Sequence, residues 1–164
     1  MSLAAAGILA MGLSFAAFVA AATWHVVPWL LRRSLGDALI PLLWVHAFRH
    51  VALQILSAQK SGFLISDALR DEILYGDLLG MVLALLAIFA IRHRLGSAVS
   101  LTWIFAAATL VDLVNGSIGG MREGALGKAS GVTWLILTFY VPLLYTSLGL
   151  IIWQLVRRGR QSLC

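Results

Sequence analysis

Five long runs of apolar residues, at about 3–31, 38–57, 73–91, 98–118 and 132–156, are separated by short segments that carry most of the charged side chains. A helix needs about 20 such residues to cross a bilayer core, so the pattern predicts five transmembrane helices. The first run is rich in alanine and ends in Trp24, His25, Pro28 and Trp29 ahead of Arg32 and Arg33. Positive charge that follows an apolar run is the reverse of a cleaved signal peptide, so this segment is read as a retained helix. Pro41 is placed in the first turn of the second helix, where a missing N–H costs little. Residues 66–72 form a helical lead-in capped by Ser66. Gly119, Gly120, Gly124, Gly127 and Gly131 are read as a flexible turn. Pro142, inside the fifth helix, deprives the Thr138 carbonyl of a donor and predicts a kink, a common feature of helices that line cavities.

Composition strengthens the reading. Hydrophobic residues make up 61% of 164 residues and charged residues 12%, with a mean hydropathy of +0.95. A soluble domain holds only about 45–50% apolar residues. The fold class is therefore all-α: a polytopic membrane protein forming a single bundle of five helices, one domain over residues 1–164. No internal repeat or linker divides it. The net charge of +5 does not indicate a nucleic-acid partner, because the basic residues lie on turns that flank the apolar runs. Arg32, Arg33, Arg92, Arg94, Arg157, Arg158 and Arg160 lie on one side of the predicted bundle, and Lys60, Arg70, Arg122 and Lys128 on the other. With Asp67, Asp71 and Glu72 on the second side, this places the N-terminus outside and the C-terminus in the cytoplasm. The Ala/Leu/Arg-rich usage points to a bacterial inner membrane. Tryptophans 24, 29, 44, 103, 134 and 153 all fall near helix ends, as an interfacial belt does. Cys164 is the single cysteine, which excludes an intramolecular disulfide or a cysteine-based metal centre.

The exceptional stretch is Trp44 to His50, which sets His46, Arg49 and His50 within the second helix. Spacings of three and four put these three on one face, continued by Gln54. A charge at the bilayer centre costs about 2.5–3.5 kcal/mol on insertion scales, so such groups turn inward and find partners. At about 1.5 Å of rise per residue, Asp77, Asp112 and Asn115 fall in the same outer layer as Arg49, with Thr138, Tyr140 and Tyr145 near it. Gly76 and Gly80 flank Asp77, and Gly116 and Gly120 repeat the spacing, which lets helices approach closely. The expected site is an outer-half pocket formed by His46, Arg49, His50, Gln54, Asp77, Asp112, Asn115, Tyr140 and Tyr145.

Several chemistries are tested against this set. His46 and His50 share a face and cannot clamp one haem between them. HxxxH spacing suits zinc, but Arg49 would place a positive charge beside the metal, so no cofactor is predicted. The polar groups occupy only the outer half, so neither a continuous proton path nor the second gate of a transporter is visible. Ser57, Ser66, Ser100 and Ser117 carry no nucleophile motif. Two families compare in outline. Pro41 to Trp44, Trp103 to Thr109 and Val141 to Tyr145 loosely resemble segments of the translocator-protein family, implying a tetrapyrrole or sterol ligand. That family's tryptophan- and proline-rich first loop is absent. The helical core with histidine, aspartate and asparagine, and Tyr140 to Pro142, is similar in outline to emopamil-binding sterol isomerases, implying acid and base roles for Asp77, Asp112 and His50. No diagnostic motif matches, and neither family is adopted.

The reading that results is a small integral membrane protein that binds an amphipathic or apolar small molecule, with Arg49 receiving an acidic or carbonyl group. Two alternatives remain. One is an accessory subunit of a larger membrane complex whose buried polar network is purely structural. The other is an isomerase-like membrane enzyme using Asp and His. Membrane lipid is an expected neighbour, and a homo-oligomer or a larger complex an open partner reading.

Overall fold

Three of the five long helices open on a serine that does the same local work. Ser2, Ser34 and Ser66 each hold extended backbone, and each accepts the N–H three residues on, from Ala5, Asp37 and Leu69, at 3.2 Å. Such a cap satisfies one of the four N–H groups that a helix start leaves without an intrahelical acceptor. A computed structural model describes residues 1–158, and Arg160 and Cys164 lie outside the described residues.

The fold is all-α. Its helices are α1 (Leu3–Leu31), α2 (Leu35–Lys60), α3 (Asp67–Arg92), α4 (Ala98–Arg122), the short α5 (Ala125–Lys128) and α6 (Gly131–Arg158). All but α5 are long and apolar enough to cross a membrane, by length and composition. They coincide with the five apolar runs, with several ends displaced by a few residues. The capped lead-in at 66–72 is simply the first turns of α3. Gly119 and Gly120 belong to α4 and Gly127 to α5, so the expected flexible turn is largely helical. Only Gly124 and Gly131 in that stretch take a positive φ, at 63° and 53°, which a residue with a Cβ disfavours.

Consecutive long helices run up and down. The bundle therefore has a Phe63 end, where the α2–α3 loop meets α5, and an Arg33 end, where the α1–α2 and α3–α4 turns meet the end of α6. Three helices depart from α geometry midway. The α2 helix tightens to 3-10 winding over Phe48–Leu53, whereas α1 and α6 widen into π turns at Ala22–Val26 and Ile136–Tyr140. Each π turn lies just before a proline, Pro28 or Pro142. The extra residue in the turn moves the hydrogen bonding from four residues back to five, as in Val141 N–H to Ile136 O. The kink expected at Pro142 is expressed as this wide turn. Pro41 lies inside α2 rather than in its first turn, because the helix begins at Leu35 and not at residue 38.

Packing is dense at the Arg33 end. Leu30, Leu39, Leu43, Ala84, Ala87, Ala90, Phe105 and Ile151 are fully enclosed there. Arg158 closes this end by donating to the Arg33 carbonyl at 2.8 Å and the Leu30 carbonyl at 3.3 Å. These carbonyls lie at and just beyond the C-terminal end of α1, where the helix no longer supplies its regular donors. A smaller cluster of Ile55, Phe63, Leu74, Ala125 and Ala129 covers the Phe63 end.

Candidate functional site

Arg49 projects from the 3-10 segment of α2 into the space between α3 and α4. Its Nε donates to Asp77 Oδ1 at 2.6 Å, its Nη2 donates to Asp112 Oδ2, and its Nη1 donates to Thr109 Oγ1 at 3.4 Å. The arginine is 1% exposed and the aspartates 16% and 17%. Three helices are thus joined through one guanidinium. Removing one member of such a buried set strands the others without compensation, at a cost of about 3–5 kcal/mol.

The glycines of α3 make this possible. A Cβ at Gly80 would stand 2.5 Å from Arg49 Nη1, and one at Gly76 would overlap the Asp112 carboxylate. The close approach expected of Gly76 and Gly80 therefore accommodates side chains rather than a neighbouring backbone. Gly116 and Gly120 differ: a Cβ there meets nothing closer than 3.8 Å.

The other candidates disperse. His46 is fully buried, with Nε2 3.0 Å from Ser147 Oγ and its ring edge-on to Phe105 at 5.0 Å. Ser147 donates its own proton to the Leu144 carbonyl, so His46 donates from Nε2 and the bare Nδ1 lone pair has no partner among the described residues. His50 is exposed, with Nδ1 3.4 Å from the Ala47 carbonyl of its own helix. The shared face predicted for His46, Arg49 and His50 is split by the 3-10 winding, which advances about 120° per residue and turns His50 outward. Asn115 is also exposed.

Arg49, Gln54, Asp77, Asp112, Tyr140 and Tyr145 do meet, around a cavity of about 640 Å³ in the Phe63 half, whose remaining walls are almost wholly apolar. Tyr140 donates to the Val45 carbonyl and Tyr145 to the Leu113 carbonyl, each at 2.8 Å. Ser117 lies 2.8 Å from Tyr145 Oη, and Gln54 pairs with Thr133 at 3.3 Å. Thr109, Thr133, Ser147 and Gln154 are buried polar partners that the sequence reading did not single out. Thr109 had a signal, standing one turn before Asp112 on its face of the helix. Among the described residues, no three or more His, Cys, Asp or Glu side chains are gathered so as to hold a metal ion.

No curated protein and no solved structure matches the chain. The model of a family described as a domain of unknown function, DUF8737, matches residues 7–156, and the chain belongs to that family.

Proposed function

We propose that the chain is a small integral membrane protein, crossing the bilayer five times with its N-terminus outside, whose buried ionic network is structural, and that it serves as an accessory subunit of a larger membrane assembly. One observation carries the structural role: all three guanidinium nitrogens of Arg49 are committed to Asp77, Asp112 and Thr109, within a side chain that is 1% exposed. These bonds tie the guanidinium to side chains of α3 and α4 rather than to a ligand. The subunit role is supported by α1, of whose most apolar window only 6% is buried, against 28–44% for the other four. Its alanines offer the small-residue surface on which membrane helices pack closely. Gentle purification followed by native mass spectrometry tests this. Recovery with partner proteins supports the proposal, and recovery of the chain alone contradicts it.

A second reading, an intramembrane binding site for an amphipathic molecule, is favoured by the cavity itself. Its volume of about 640 Å³ falls within the range of about 300–1,000 Å³ usual for small-molecule sites. The isomerase-like alternative loses support, because His50 is turned away from both aspartates.

A further inference from the structure

The second reading, on which this inference rests, leaves the nature of the ligand open, and the proton positions around the cavity address it. The deep polar groups on its wall are Arg49, Asp77, Asp112, Ser117, Tyr140 and Tyr145. The hydroxyl donors among them are spent on the protein, and each Arg49 nitrogen bonds one of its side chains. The Arg49 nitrogens bond Asp77, Thr109 and Asp112. Tyr140 gives its proton to Val45 O and Tyr145 gives its proton to Leu113 O. Ser117 must then be the donor in its contact with Tyr145, whose only proton is already used. Gln54 and Thr133 satisfy one another nearer the Phe63 loop.

Beside the second N–H of Arg49 Nη1 and of Nη2, a set of acceptors remains open. Each aspartate uses one oxygen on Arg49, while Asp77 Oδ2 and Asp112 Oδ1 accept no hydrogen bond from the described residues. Two carboxylates against one guanidinium also leave one formal negative charge on a wall that is otherwise apolar. In a membrane interior such a charge calls for a partner. A carboxylate-bearing ligand would meet repulsion from the excess carboxylate, and a neutral alcohol would leave the charge unbalanced. An alkyl ammonium supplies N–H donors and the missing positive charge, and its chain matches the apolar walls.

We infer that the cavity binds an apolar amine, its ammonium held by Asp77 and Asp112 and its hydrocarbon body lying toward α1 and α6. The test uses purified protein in phosphatidylcholine nanodiscs with three probes of equal chain length: dodecylamine, dodecanol and dodecanoate. Binding is read by native mass spectrometry and by the shift in thermal unfolding, with empty nanodiscs correcting for partition into lipid. Dodecylamine is expected to bind at least tenfold more tightly than either of the others.

Asp77→Asn and Asp112→Asn should erase that preference, but both disturb the ion network, so a second variant is needed. Gly116 lines the cavity, and its nearest neighbour to an added Cβ is Ile73, 3.8 Å away. Gly116→Leu should fill the space, leave the fold intact and reduce dodecylamine binding at least tenfold. Adding phosphatidylethanolamine to the nanodisc separates the sources. Competition with dodecylamine assigns the amine to a lipid headgroup, and lack of competition to a free amine. Equal or tighter binding of dodecanoate or dodecanol overturns the ammonium assignment and leaves a cavity-binding protein. Failure of all three probes, or dodecylamine binding unchanged by Gly116→Leu, overturns the cavity reading as well.

Discussion

At the Arg33 end, leucines of α1 and α2 close against alanines of α3 and α4, and Leu39, Leu43, Ala84, Ala87 and Phe105 reach zero exposure. At the Phe63 end the same long helices stand around a cavity of about 640 Å³. The two ends differ in how the backbone runs as much as in their side chains. The 3-10 segment of α2 and the π turn of α6 lie at the boundary, and Arg49 and Tyr140 belong to those irregular turns. Local departures from α geometry thus redirect polar side chains where dense apolar packing stops. The lesson is that the ionic network and the hollow are separate features sharing a wall: Arg49 holds helices together, and Asp77 and Asp112, its partners, also line the cavity.

The largest expected effect breaks that division at its hinge. Arg49→Met leaves Asp77 and Asp112 without their counter-charge and should cost about 3–5 kcal/mol of stability in denaturant titrations in detergent. Next, truncations at the two ends should diverge. Leu43→Ala, in the solid half, should cost about 2–5 kcal/mol, because its neighbours cannot collapse into the space. Ile73→Ala, on the cavity wall, should cost less than Leu43→Ala when the same titration is applied, since one side of it already lacks partner atoms. A glycine pair sharpens the contrast further. Gly80→Ala drives a Cβ into the guanidinium and should destabilise by about 1–3 kcal/mol. Gly116→Ala meets only Ile73, at an ordinary contact distance of 3.8 Å, and should stabilise by up to about 1 kcal/mol through helix propensity.

The smallest effect lies at the rim of the hollow end. Two Ser66 hydrogen bonds, first from its hydroxyl and then from its backbone N–H, hold the Glu123 carboxyl below the usual glutamate range. A depressed value in the folded state adds stability that is present above the unfolded value and lost as pH falls through the folded one. Glu123→Gln should therefore lower the thermal midpoint slightly at about pH 7, and by less at about pH 3.

The long helices were legible because an apolar run of this length has few other solutions. Arg49, Asp77 and Asp112 were legible for a related reason: charges embedded in such runs must find one another, and depth along each helix placed them in one layer. The fates of His46 and His50 were not readable. A 3.6-residue period puts both on the Arg49 face, and nothing in Phe48 to Leu53 announces a switch to tighter winding. The role of Arg158 was hidden likewise, since an arginine after an apolar run reads as a membrane-flanking charge whether or not it closes another helix. The solidity of one end and the hollowness of the other depend on how five helices pack side by side. Periodicity within one helix does not encode that.

The most direct test of the central claim compares Arg49→Met with the triple variant Arg49→Met, Asp77→Asn, Asp112→Asn, measuring the unfolding free energy of each in the same detergent. A structural network predicts a large loss in the single variant and substantial recovery in the triple, where no uncompensated charge remains. A single variant as stable as the wild type, or a triple variant no better than the single, would contradict it.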